Sequence, residues 1–438
     1  MQIQIPVHRL KHALELVEPA VARGKTTLPI TLNVLFRAGG LHATNLTLAI
    51  SAELQEVLGM AFTLPFKTLS DVLRHVPNAE TATIEYENGA ATIHVGGNRI
   101  RLVGTDPSEF PPLPALAGEG ELVDGDRFVR ALLGALPYTA GAKEAARPVL
   151  QSVCVTLGDP VSVAGGDGFR LAWQDAPVKL LGEGTGVKQL LLPRESVQAL
   201  DQVWKRAVKP PSAGPAGEGS AFSDVSQRPS LETARMAVAR RMMRVRMNAG
   251  QASFQFGEAT VRTQLVQGQF PNYAGLIPED LPRKVTFDAE AAYRVVRMLS
   301  PIAKDASSII RIQWDGDTMQ LSAHAAEQGE VSGAVRVTAH GGPGSIAFNM
   351  RYLGEYLAGK HGLVMMEANE PSNPARFTHH GSPNMLLMPM FTADARAPAA
   401  APAEAEATTE EAETGAETAA PEAPPKPTRR RRANPKAE

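Results

Sequence analysis

The chain repeats itself three times, and that repetition restricts its fold more than any single motif does. "MQIQIPVHRLKHALELVEPA", "GELVDGDRFVRALLGALPYT" and "RKVTFDAEAAYRVVRMLSPIA" begin near residues 1, 120 and 283. Each reads as a short alternating strand, a Pro or Asp near a helix start, then apolar residues at helical spacing. A second triplet has the same form: "FTLPFKTLSDVLRHV", "LLLPRESVQALDQVW" and "IAFNMRYLGEYLAG". Between them lie period-two runs such as "ATIEYE", "ATIHVG", "RIQW" and "MQLSA". Two strand–helix elements per unit predict an α+β fold of three similar domains, with helices on one face of antiparallel sheets.

The units set the expected boundaries at residues 1–118, 119–280 and 281–392. The second unit carries an insertion at about 207–240, whose stretch Lys209 to Ser230 is rich in Pro, Gly and Ser. Its end, "ETARMAVARRMMRVRM", is basic enough to touch a partner or DNA. Residues 393–438 are an Ala/Pro/Glu-rich tail ending in the basic cluster Arg429 to Arg432, a composition expected to stay disordered.

Composition narrows the function. A hydrophobic share of 43% over 438 residues supports several cores, and an aromatic share of only 5% makes them aliphatic. The net charge of −2 argues against a protein that coats nucleic acid through bulk positive charge. A local basic surface stays open, because Lys and Arg gather on the six predicted helices. These carry His8, Arg9, Lys11 and His12; Lys67 and Arg74; Arg127 and Arg130; Arg194, Lys205 and Arg206; Arg294, Arg297 and Lys304; and Arg351 and Lys360. The one cysteine, Cys154 in "SVCVTL", excludes an internal disulfide, a cysteine-rich zinc site and a CxxC pair, and reads as a small buried hydrophobe. No apolar run approaches the ~18 residues of a membrane span, and "MQIQIPVHRL" does not read as a signal peptide, so a soluble cytoplasmic protein is expected.

Prolines mark the ends of the units. "EFPPLP" (Glu109 to Pro114), "QFPNYAGLIP" (Gln269 to Pro278) and "MLLMPM" (Met385 to Met390) close the first, second and third. Proline cannot donate to a sheet ladder, so these stretches read as joints between domains. Enzyme-like signals are weak. "GGNRI", "AGGDGF" and "HGGPGS" lack phosphate-loop spacing and read as hairpin turns. His379 and His380 would point apart in a strand, and "GTDPSEF" reads as an Asp-Pro turn. No nucleophile, base and orienting group are placed together, so neither catalysis nor a cofactor or metal is expected.

Four stretches in register on the repeat, "TTLPITLNVLF" (Thr26 to Phe36), "GGDGFRLAW" (Gly165 to Trp173), "LVQGQFPNYAGLIP" (Leu265 to Pro278) and the terminal "LLMPM", resemble the bacterial sliding clamp family, the beta subunits of DNA polymerase III. The resemblance runs through residues 1 to about 392, apart from the insertion. It implies a head-to-tail homodimer whose six domains close into a ring around double-stranded DNA, with helices inside, sheets outside and no base readout. It implies an apolar groove for short linear motifs of the polymerase alpha subunit, the clamp loader and other clamp-binding proteins. By motif, that groove is Leu150, Gly168, Phe169, Arg170, Leu171, Pro271, Leu276, Leu386, Met388, Pro389 and Met390, with Leu387 pointing inward. Methionine suits such a surface because its flexible, polarizable side chain repacks around different peptides. The DNA-facing set is Arg9, Lys11, Lys25, Arg74, Arg127, Arg130, Arg147, Lys205, Arg206, Arg294 and Arg297, of which Lys25 and Arg147 match loop positions in the family. Ring closure is expected to set Ile100 and Leu102 against Met298 and Leu299 of a second copy. The chain departs from the family at Phe169, where His is common, and at Gly275, where a basic residue is usual, which implies a different polar rim. Two functions follow: a processivity factor that encircles DNA, or an interaction scaffold that keeps the clamp fold without being loaded on DNA.

Overall fold

The sequence repeat reappears as a repeated order of elements in the computed structural model. It describes residues 2–208 and 241–391, apart from residues 25, 58, 60, 114, 142–146, 306–307 and 326–328. The tail and most of the insertion therefore lie outside the described residues. The first repeat runs β1 (Gln2–Pro6), α1 (Val7–Val17), β2 (Asn33–Arg37), β3 (Gly40–Thr44), β4 (Leu48–Glu53), β5 (Phe62–Pro65), α2 (Phe66–Arg74), β6 (Thr81–Glu87), β7 (Ala90–Val95) and β8 (Asn98–Val103). The second runs β9 (Glu121–Asp124), α3 (Gly125–Ala135), β10 (Ser152–Thr156), β11 (Val161–Gly166), β12 (Arg170–Ala176), β13 (Gln189–Pro193), α4 (Arg194–Val208), β14 (Met242–Met247), β15 (Gln251–Phe256) and β16 (Ala259–Gln264). The third runs β17 (Arg283–Asp288), α5 (Ala289–Asp305), β18 (Ile309–Asp315), β19 (Thr318–Ala325), β20 (Gly329–His340), β21 (Gly344–Asn349), α6 (Met350–Leu357), β22 (Leu363–Ala368), β23 (Ala375–His379) and β24 (Asn384–Leu387).

Each helix starts on the residue after a strand ends, and the junction residue explains why. Asp124, Asp288 and Asn349 accept the backbone N–H of Arg127, Ala291 and Arg351 at 3.1, 2.8 and 2.9 Å, capping α3, α5 and α6. Pro6 and Pro65 hold the equivalent junctions before α1 and α2 without a side-chain cap. The apolar stripe of each helix then faces a sheet: α1 buries Leu10, Ala13, Leu14 and Val17, and α3 buries Phe128, Val129, Leu132 and Ala135. Cys154 is fully buried. The basic segment read as the end of the insertion is corrected in part. Met242–Met247 is β14, paired with β9 and β15, with Met243, Val245 and Met247 buried; α4 also continues through Val208, so the insertion begins after it.

All strand pairings are antiparallel, and the sheet order shows how the repeats meet. One half-sheet of the first repeat, β5-β2-β3-β4, continues through β4–β16 into the second repeat's β16-β15-β14-β9. The second repeat's β13-β10-β11-β12 continues through β12–β24 into β24-β23-β22-β17 of the third. The long strand β20 pairs with β19 through residues 329–336, then with β17 through residues 337–340. The remaining half-sheet, β1-β6-β7-β8, ends on β8. The Phe of each linker seals its own repeat: Phe110 packs with Ile30 and Leu35, and Phe270 with Cys154, Ala164 and Leu191.

Candidate functional site

The turn between β11 and β12 builds one wall of the second joint. Asp167 accepts the backbone N–H groups of Phe169 and Arg170 at 3.0 and 2.9 Å, and Gly168 sits at φ +93°, where a Cβ would be strained. That geometry throws Phe169 outward, 57% exposed, over the ring of Tyr352 at 6.2 Å. Beside it β24 pairs Leu387 with Arg170 and Leu386 with Leu171. The ladder runs on past the strand, with Met388 N–H donating to the Phe169 carbonyl at 2.9 Å and Met390 N–H to the Ala347 carbonyl at 2.8 Å.

"MLLMPM" is therefore divided along its length. Met385, Leu386 and Leu387 are buried, Met388 is 44% exposed, and Pro389 and Met390 are half-buried. The linker leaves Pro271 exposed and Leu276 58% exposed on a short turn, and half-buried Leu150 packs against the cluster that holds Phe270. Phe169, Leu276, Met388 and Phe391 are exposed large apolar side chains among the described residues of these stretches, while Leu171 and Leu386 are buried.

Arg170, expected among the groove residues, is buried beneath the surface. Its side chain is only 4% exposed and forms ion pairs with Asp167 at 3.0 Å and Glu355 at 2.6 Å. It also donates to the Pro137 carbonyl at 3.1 Å, and its guanidinium lies 4.5 Å from the Tyr352 ring and 5.2 Å from the Tyr138 ring. Burial pushes the Tyr138 hydroxyl up to about 12, with Arg170 opposing the rise and Glu355 adding to it. The sequence reading missed Tyr352, Glu355 and Phe391, the last 71% exposed just beyond Met390. The first two lie on one face of "NMRYLGEYLAG" at the i, i+3 spacing that puts side chains together, a signal present in the sequence.

The helices hold thirteen Lys and Arg against eight Asp and Glu, a positive excess in a chain whose net charge is −2. The structure sorts the expected DNA-facing residues into three groups. Arg130, Arg147, Arg294 and Arg297 are exposed, with no ion pair to another described residue. Arg74, Arg127 and Lys205 are exposed in local pairs with Asp71, Asp124 and Asp201 at 3.4, 3.4 and 2.7 Å. Arg9, Lys11 and Arg206 are tied down: Arg9 to Glu56, Lys11 to the Val76 carbonyl at 2.6 Å, and Arg206 to Glu18 at 2.9 Å. Arg194 turns inward, donating to the Leu136 carbonyl at 2.8 Å and Thr139 at 2.6 Å. Lys25 lies outside the described residues.

At the expected dimer edges, Ile100 is half-buried and Leu102 buried on β8, while Met298 is 49% exposed with its methyl against Gly333 of β20. Leu299 is corrected: it is fully buried in the third repeat's own core and has no surface to offer. Among the described residues no group of three or more His, Cys, Asp or Glu could hold a metal ion, and no helix is long and apolar enough to cross a membrane.

Comparison with known proteins matches this geometry. Residues 274–390 match the family model for the C-terminal domain of the DNA polymerase III beta subunit. The beta sliding clamp of Synechococcus elongatus is 27% identical over 387 residues, covering 85% of this chain and 94% of that protein; the one of Caulobacter vibrioides is 24% identical over 405 residues, covering 89% and 96%. The crystal structure of the DNA polymerase III beta subunit from Thermotoga maritima shares the fold with a TM-score of 0.73 at 20% identity, over 90% of this chain and all of that one. A family model on the third repeat, relatives that span all three, and a common fold lead to one conclusion: the chain is similar along nearly all of its described length to the bacterial DNA polymerase III beta subunits, the beta sliding clamps.

Proposed function

We infer that the chain is a DNA sliding clamp: two copies close head to tail into a six-domain ring around duplex DNA and tether the replicative polymerase through the second-joint groove. The observation that carries this reading is a pair of unfilled edges. β16 continues β4 and β24 continues β12 in equivalent registers, since Arg262 pairs with Ala49 as Leu386 pairs with Leu171. The third pair of equivalent strands is β8 and the first part of β20, each lacking a neighbour on one side among the described residues. A free edge is a template for pairing, and one copy supplies each kind. The same register sets Ile100 opposite Val331 and Arg101 opposite Glu330 of the second copy, a cross-strand pair of opposite charge.

Domain limits at 1–118, 119–280 and 281–392 follow, because each then contains two half-sheets and two helices. Arg130, Arg147, Arg294 and Arg297 are the side chains freest to meet phosphate, and loose contacts without base readout suit movement along DNA. Phe169, Leu276, Met388 and Met390 would take an apolar motif from the polymerase alpha subunit, the clamp loader or another partner. The clamp works in the cytoplasm and carries out no chemistry itself, since tethering needs only closure and docking.

Topology tests this. The protein is loaded onto nicked circular DNA with a bacterial clamp loader, isolated by gel filtration, and the DNA is then linearised. Retention on the circle with loss on cutting is the expected result. Equal binding before and after cutting would mean local electrostatic contact, and no loading by a competent loader would favour the unloaded scaffold.

A further inference from the structure

The first joint reproduces the second almost residue for residue, and it is hollow. Asn45 accepts the backbone N–H groups of Thr47 and Leu48 at 3.2 and 2.8 Å, as Asp167 does for Phe169 and Arg170. Leu46 takes a left-handed φ of +79° where the second joint has Gly168 at +93°. Gln264 N–H donates to the Thr47 carbonyl at 2.9 Å, as Met388 does to that of Phe169. Pro111 and Leu116 then follow Phe110 at the same offsets at which Pro271 and Leu276 follow Phe270. Between these parts lies a cavity of about 250 Å³, lined by Leu46, Ala49, Pro111, Leu116, Arg262 and Gln264 among others.

The side chains that differ decide what fits. Ala49 and Thr47 stand where the second joint has Leu171 and Phe169, which leaves space unfilled. Arg262 stands where it has Leu386, which places a cation in the lining. The Arg262 guanidinium donates to Ser51 at 2.9 Å and has no carboxylate in ion-pair range among the described residues. Burial holds it below the usual arginine range, and the nearby charge of Arg246 adds to that. His42, on β3 beyond the intervening β4, is likewise lowered to about 4 by burial, then by Arg262 and Arg37. The volume falls short of the roughly 300 Å³ at which small-molecule pockets begin, so it suits side chains of a peptide rather than a whole ligand.

We propose that the first joint is a second docking site, taking an extended peptide segment of a partner protein that sets an acidic side chain against Arg262 and an apolar one against Leu46, Pro111 and Leu116. The peptide class rests on the reading of the second joint as a peptide groove; the acidic requirement rests on Arg262 alone. An uncompensated, partly buried arginine gains most from a carboxylate, whose contact is charge-assisted and bidentate.

The test uses the full chain and two fluorescein-labelled peptides, Gly-Leu-Asp-Leu-Phe-amide and its Asn counterpart, read by anisotropy and calorimetric stoichiometry. Wild type is expected to take the Asp peptide at two sites per chain. The Leu276→Asp/Met388→Asp variant is expected to keep one site, weakened about tenfold or more by adding Arg262→Gln or by using the Asn peptide. Arg262→Lys, which keeps the charge but not the bidentate geometry, should recover only part of what Arg262→Gln loses, and Leu116→Gln, on the linker, should weaken binding if Arg262→Gln proves unstable. Binding that disappears with Leu276→Asp/Met388→Asp alone overturns this proposal and leaves the second groove standing. Binding untouched by those changes but abolished by Arg262→Gln supports it and refutes the second-groove reading. No binding at about millimolar peptide, or displacement by a short DNA duplex, also overturns it.

Discussion

Replacing Arg170 by Met keeps the aliphatic stem and removes the guanidinium that joins the second and third repeats. Of its two acidic partners, Asp167 is 5% exposed and Glu355 42%. The Glu355 contact lies close to water and contributes little, so the main cost is a desolvated Asp167 without its counter-ion. Removing one member of a buried pair costs about 3–5 kcal/mol. Asp167 retains two backbone N–H donors, which places the expected loss near the lower end, about 3 kcal/mol. Urea unfolding at neutral pH, followed by the fluorescence of Trp173 on the same strand, measures it. The second change Asp167→Asn in the Arg170→Met background should return about 1–2 kcal/mol, because the stranded charge is gone. A loss below about 1 kcal/mol, or no recovery in the double variant, would refute the reasoning. The acid limb adds a check. Burial acts to raise the Glu355 carboxyl, but hydrogen bonds and charge from Arg351 and Arg170 hold it below its usual 4.5. A depressed carboxylate stabilises above its unfolded value and loses that contribution as pH falls through the folded one, so the small Glu355 share of the difference between wild type and Arg170→Met should disappear in acid while most of the difference remains.

Three further outcomes are expected. Ile100→Asp should weaken the dimer by about a hundredfold or more in sedimentation, since it sets a carboxylate among cross-strand apolar side chains; Arg101→Glu should cost less and be partly restored by Glu330→Arg, whereas unchanged dimerisation would remove β8 from the interface. Leu276→Asp with Met388→Asp should abolish capture of polymerase-derived motifs while leaving thermal stability nearly unchanged, because both side chains are about half exposed; a large drop in stability would make them core. Arg294→Ala with Arg297→Ala should lower the salt slope of duplex binding by about 2, close to 0.9 for each phosphate that is no longer neutralised; an unaltered slope would turn that helix face away from DNA.

How much of the site was readable depends on the range of the forces involved. The exposure of Met388 and the burial of Leu387 follow from where the strand ends, a local matter. The burial of Arg170 does not, because the partners that bury it, Pro137, Tyr138, Tyr352 and Glu355, come from separate stretches of chain far from it in sequence. Nor did composition reveal that Arg9, Lys11 and Arg206 are already occupied, since Glu56, Val76 and Glu18 are brought to them by packing alone.

The sequence by itself determined the six strand–helix elements and their threefold order. Periodicity, capping residues and proline act over a few residues, so they are written locally. Only the tertiary structure decided which strand edges are filled within one chain, which arginines remain free of ion pairs to described residues, and that the first joint holds a cavity. Those outcomes depend on register between strands more than a hundred residues apart, and a register is settled by the burial of whole faces rather than by any one residue.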